Sequence, residues 1–189
     1  WHDAPDSYPA VPCIGAALAY GHGSLDLTDA ARHHESWDRS GLAGALRLGL
    51  VARHGFIVAE QTSWRAGGDA PYDLQVSRLL VGFDLGRSPL QLLLGIGSIR
   101  PRVDANMGDC VDLQEGWHGM AFSGGLGVRI MSRRRWTVTV RAEYVYTGQQ
   151  AYYAERPADG SDGTLREWDA GLVTAGLSVD WHLLPLGRP

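Results

Sequence analysis

Large apolar side chains alternate with Gly, Ala, Thr or lone charges along much of the chain, most clearly over residues 135–146. Trp136, Val138, Val140, Ala142, Tyr144 and Tyr146 fall on one parity, with Thr137, Thr139, Arg141 and Glu143 on the other. A period of two puts the two sets on opposite faces of a β-strand. The pattern predicts strands over 13–23, 41–53, 56–65, 72–85, 90–100, 117–131, 136–148 and 166–183, each bounded by turn residues. Tight connections at 54–55, 86–89 and 132–135 alternate with mostly longer ones at 24–40, 66–71, 101–116 and 149–165, rich in Asp, Gly, Ser and Pro. Short turns at one end and long loops at the other are the pattern of a barrel that crosses a membrane.

Which face meets lipid follows from the two sets. Trp64, Trp117, Tyr144, Tyr146 and Trp168 are expected near the loop end, and Phe56, Phe83, Trp136 and Trp181 near the turn end. Two aromatic bands around an aliphatic middle predict girdles at the membrane–water interfaces. The opposite face carries Gly15, Ala17, Ala19 and Gly21 in the first strand, and elsewhere Arg47, Arg78, Asp84, Arg129, Arg141, Glu143 and Asp180. With Glu60 this makes four Arg and four carboxylates, a balanced set for the narrow interior of an eight-stranded barrel. Glu60 shares parity with Phe56 and Trp64, and Trp168 lies on the opposite parity to Trp181. Bulges are therefore expected in the third and eighth strands.

At 189 residues the chain is sized for one domain. The longest run without Asp, Glu or Arg, residues 7–25, contains Pro9, Pro12, Gly15, Gly21 and Gly23, so it is no spanning helix. The net charge of −4 argues against a nucleic-acid binder, and the use of Arg for all 17 Lys/Arg positions fits a GC-rich genome. Cys13 and Cys110 are placed near opposite barrel ends and are expected as free thiols. The opening Trp1-His2-Asp3-Ala4-Pro5 reads like a processed N-terminus.

The run Gly124-Gly125-Leu126-Gly127-Val128-Arg129, a tight turn, and then Arg141-Ala142-Glu143-Tyr144-Val145-Tyr146 resembles the last strands of OmpA/OmpX/Ail-type eight-stranded outer-membrane proteins. The resemblance covers about a third of the chain specifically. It implies an all-β, eight-stranded antiparallel up-and-down transmembrane β-barrel with short periplasmic turns and longer extracellular loops. Its expected layout is a periplasmic extension over 1–12, the barrel over 13–184 and a tail over 185–189. The chain departs from the family at its end, where Asp180-Trp181-His182-Leu183-Leu184 precedes Pro185 and displaces the usual terminal aromatic.

Candidate chemistry is sparse. His22 and Ser24 share a face at the outer rim, with Glu167 and Asp169 expected nearby, and loosely resemble the His-x-Ser arrangement of outer-membrane lipid A deacylases, which implies a lipid A-modifying hydrolase as an alternative. His33 and His34 in the first long connection match no zinc spacing, and neither a metal nor a cofactor is expected. Arg65, Arg100 and Arg102 suit contact with lipopolysaccharide phosphates. The principal expectation is a non-enzymatic bacterial outer-membrane barrel with both termini periplasmic. Its expected partners are outer-membrane lipid, lipopolysaccharide and a protein at the extracellular loops. A soluble lipocalin-like barrel, with the apolar face turned inward, is the other alternative.

Overall fold

The structure, a computed structural model, describes residues 10–28, 34–52, 54–67, 72–103, 119–133, 135–148, 150–153 and 165–184. Among the described residues nine strands follow one another: β1 (Val11–Thr28), β2 (His34–Ala52), β3 (Gly55–Ala66), β4 (Tyr72–Asp84), β5 (Leu90–Val103), β6 (Gly119–Ser132), β7 (Trp136–Thr147), β8 (Gln150–Tyr153) and β9 (Leu165–His182). Every pairing is antiparallel, and β1 pairs with both β2 and β9, so eight strands close into a barrel. The short β8 lies outside the closed ring and extends only the upper end of β9. At the tight end, Gly86 takes a φ of 66°, which an L side chain resists, and the Leu85 amide bonds the Leu90 carbonyl at 2.8 Å.

The register fixes the barrel's dimensions. Passing from partner to partner, Cys13 leads to Gly49, Val58, Leu80, Gly95, Ser123, Val145 and Leu172, and returns to β1 at Gly23. The ring therefore closes with a stagger of ten residues, from Cys13 to Gly23. With a rise of about 3.3 Å per residue and about 4.8 Å between strands, the strands tilt by about 40°. The lumen that results is just wide enough to be filled by side chains.

The apolar parity faces outward. Leu46 is 72% exposed and Leu18 65%, and Ile14, Leu48, Ile96, Leu126, Leu177 and many others join them around the wall. From Ile130 to Met120 on β6 this band is roughly 25 Å tall at the strand tilt, matching hydrocarbon-facing bands in such barrels. A lipocalin-like barrel would have turned the same side chains inward.

Two expectations change. The 24–40 connection is mostly strand, because β1 runs on to Thr28 and β2 begins at His34. Its polar residues read as a loop, yet the alternation never stops: Gly23, Leu25 and Leu27 stay buried inside while Ser24, Asp26 and Thr28 point outward. A strand that has risen above an apolar band meets water on its outer face, so polar residues belong there. The bulges also sit elsewhere than expected. Pairing along β3 and β9 is regular, and the register shift falls between Arg129 and Met131 on β6. Cys13 is a buried free thiol; Cys110 and Trp117 lie outside the described residues.

Leu46 sits mid-band, so Leu46→Arg is expected to lower the free energy of folding into phospholipid vesicles by about 2–4 kcal/mol. The same change at Ser36, above the band, should shift it by less than about 0.5 kcal/mol. Urea titrations of the two variants in vesicles test this; equal effects would place Leu46 in water.

Candidate functional site

The lumen is built in layers, and its middle layer is ionic. Arg47, Glu60 and Arg78 are directly paired across β2, β3 and β4, so their side chains form one row with the carboxylate at its centre. Arg78 Nη2 lies 2.6 Å from Glu60 Oε1, and Arg47 Nε lies 3.5 Å from Glu60 Oε2. From the far wall Arg141 reaches Glu60 at 2.5 Å, while Glu143 bonds Arg78 at 2.5 Å and Arg141 at 3.0 Å. Asp180 closes the set on Arg47 at 3.2 Å. Three guanidinium groups thus meet three carboxylates, all buried, with no net charge left in the layer.

Glycines make the room. Gly15 is paired with Arg47 on one side and Asp180 on the other, so these two ions meet across a residue with no side chain. A Cβ at Gly15 would press on the Asp180 carboxylate and come within 2.7 Å of the Val179 carbonyl. The same rule holds around the ring: Arg78 faces Gly97, Glu143 faces Gly125, and Arg141 lies between Gly127 and Gly176. The inward parity of the sequence carries this signal as ions on one strand and glycines on the next, but only the register reveals the matching.

Nearer the turn end, Arg129 pairs with Asp84 at 2.9 Å and Gln91 donates to the same carboxylate at 2.8 Å. The expected interior charges are therefore brought together as a network of six and a separate pair. Phe56 also belongs here, its ring 4.9 Å beneath the Arg47 guanidinium. Above the ionic layer the lumen is apolar. Trp64 and Tyr72 pack ring to ring at 5.5 Å, with Leu25, Leu74, Ile99 and Trp168 buried around them. The Tyr72 hydroxyl donates between the Gly23 and Trp37 carbonyls, 2.6 and 2.9 Å away. Between the two layers remains a void of about one water molecule, beside Ala17, Ala45 and Arg141.

Trp64, Trp168 and Phe56 thus fill the lumen instead of facing lipid. The small β1–β2 face leaves volume that only large side chains on the facing strands can occupy, and large rings on the inward parity do so. The aromatics that point outward are Phe83, Trp136 and Trp181 near the turn end and Tyr144 and Tyr146 near the other, the last two stacked at 6.1 Å. Tyr20 and Phe122 join the upper set and went unnoticed in the sequence because neighbouring Gly and Ala obscured the band.

At the outer rim the expected His22, Ser24 and Glu167 are not assembled. Glu167 stands opposite Thr28, four residues beyond Ser24, or roughly 13 Å along the strand. His22 instead turns to β2: its Nδ1 is 3.2 Å from Ser40 Oγ and its Nε2 3.7 Å from Asp38. The set is open to solvent, with the His22 side chain 54% and the Asp38 side chain 61% exposed, so water reaches its members. Higher still, Asp26 and Asp169 face each other across β1 and β9, with His34 3.7 Å from Asp26. This point lies above the apolar band, and partial burial together with the facing Asp26 carboxyl raises the Asp169 pKa. Among the described residues no group of three or more His, Cys, Asp or Glu is placed to hold a metal.

The geometry is that of the small eight-stranded barrels of bacterial outer membranes. AlkL, solved in lipid bilayers, aligns over 100% of this chain and 98% of its own length at 12% identity and a TM-score of 0.51. Neisserial surface protein A aligns over 87% and 96% at 13% identity and a TM-score of 0.47. Ail of Yersinia pestis aligns over 87% and 97% at 11% identity and a TM-score of 0.43. At these identities the likeness is one of fold. No protein-family model matches the chain, and no curated sequence relative does.

Glu60 holds three guanidinium groups, so Glu60→Leu is expected to destabilise the barrel by about 3–5 kcal/mol in vesicle unfolding, far more than Arg65→Ala at the rim. A small effect would mean the network is dispensable. The raised Asp169 pKa gives a second expectation. An acid whose pKa is higher in the folded hairpin than in the open one opposes folding while ionised, and this opposition fades as pH falls towards the folded value. Amide exchange in β1 over 24–28 should therefore slow, relative to intrinsic rates, as pH falls from neutral towards the raised Asp169 value. Asp169→Asn should remove that dependence.

Proposed function

We propose that this protein is a non-enzymatic barrel of the bacterial outer membrane, with the β1–β2 hairpin end at the cell surface and both termini on the periplasmic side. The carrying observation is a contrast between the two ends of the lumen's contents and its walls. The lumen is closed by paired ions and packed rings, yet β1, β2 and β9 continue beyond the apolar band. A filled lumen gives solutes no path, and a wall extended past the lipid offers polar surface to whatever lies outside. Function is thus assigned to the outer end, with outer-membrane lipid, lipopolysaccharide and a protein at the loops as partners. No nucleic acid, metal or cofactor enters this reading.

A second reading has one observation in its favour. His22 lies within hydrogen-bond distance of the Ser40 hydroxyl and 3.7 Å from the Asp38 carboxylate, near the outer edge of the band, where a lipid ester would be within reach. The lack of a shielded pocket places it second.

Two measurements separate the readings. Reconstituted in a planar bilayer, the protein is expected to give no discrete conductance steps; steady steps would overturn the closed-lumen role. Lipid A masses from cells making the protein should match those from cells making Ser40→Ala or Ser24→Ala. A deacylated species lost in either variant would establish the hydrolase instead.

A further inference from the structure

Among the described residues the lipid-facing band is interrupted on one side. Gln61, Ser77 and Ser98 form one outward cross-strand row over β3, β4 and β5, and the Ser77 hydroxyl bonds the Gln61 side chain. The row above it is Ser63, Gln75 and Arg100, and the next is Arg65, Asp73 and Arg102. No apolar side chain occurs in this block. Its neighbours on the same rows are Leu46 and Leu42 on β2 and Met120 on β6, all exposed and apolar, and beneath it lie Leu79 and Ile96.

Because the strands tilt, height along the barrel axis follows from the register. On β1 and β2 the outward face first turns polar at His22 and Ser40. On β3 it does so at Gln61, roughly 9 Å below His22 and roughly 12 Å below Ser40. The Ser77–Gln61 bond satisfies one donor and one acceptor, but hydrocarbon tails against this surface would still leave the Gln61 amide N–H groups facing apolar chains, so the polar zone of the leaflet has to descend to meet them.

We infer that this block seats the headgroup of one phosphorylated glycolipid of the outer leaflet. Sugar hydroxyls and amides would bond the Gln61, Ser63, Gln75 and Ser77 groups, and phosphate would sit on Arg100 and Arg102. Charge selects this occupant. The three Arg outnumber the one carboxylate, and Asp73 is engaged by Arg65 at 3.5 Å. A two-fold partner copy would set this positive cluster against itself. Phosphate takes paired N–H donors from guanidinium groups, and Gln and Ser supply the neutral donors and acceptors that a sugar uses. The inference rests on the outer-membrane reading and adds a defined lipid site to it.

The test is native mass spectrometry of the full chain from neutral detergent, titrated with bis-phosphorylated lipid A. Each sample is first checked for a faster gel band unboiled than boiled. Loss of that shift in the wild type would sink the membrane barrel itself, independently of the lipid site. With the barrel intact, Arg100→Ala/Arg102→Ala should weaken lipid A binding about tenfold or more, and Gln61→Leu/Ser77→Leu should weaken it too. Arg39→Ala, an exposed arginine on β2 away from the block, should leave binding unchanged. Dephosphorylated lipid A should bind about tenfold more weakly. Equal binding of the dephosphorylated form, equal competition by phosphatidylglycerol, or an equal loss in Arg39→Ala would each overturn the site. So would dimers cross-linked through Ser63→Cys in bilayers.

Discussion

Closing eight strands with a ten-residue stagger leaves a lumen that side chains must fill completely, and most of the structure answers to that demand. The long ions cannot point to lipid, where nothing would solvate them, so they meet inside. There each must be matched, because an unpaired charge in such a space costs several kcal/mol. Arg47, Arg78 and Arg141 against Glu60, Glu143 and Asp180 satisfy this with no charge remaining. The glycines opposite them follow from the same constraint, since a guanidinium that crosses the lumen needs a neighbouring position without a side chain.

The two halves of the lumen divide the work differently. Ions in the middle fix the relative positions of strands that are far apart in the chain, as Glu60 of β3 does with Arg141 of β7. Rings in the upper half supply bulk: Trp64 fits against Gly23, where a Cβ would approach within 2.9 Å of the indole. The hairpin above the band is held by its inward Leu25 and Leu27 on this apolar layer, so its polar outer face is free for contacts. Stability in the lumen and availability at the rim are thereby separated in space. An enzyme reading fits less well, because its residues lie on an open face where water competes for every hydrogen bond.

The strand pattern, the closed barrel and the identity of the ionic residues were legible from parity alone, since alternation reports directly which residues share a face. Parity failed where one face serves two environments. Phe56 and Trp64 share their face with Glu60, and lipid preference was read from ring size when filling was the governing need. The 24–40 segment has the composition of a loop, although its alternation continues.

By itself the sequence determined that the chain alternates, that its outward parity is apolar, and that its inward charges balance. Those are properties of each strand taken alone, and they follow from side-chain direction. Only the tertiary structure decided which ion meets which, that glycines lie opposite them, and that Gln61, Ser77 and Ser98 align into one polar row. Those are properties of register, and register is set by how all eight strands close at once.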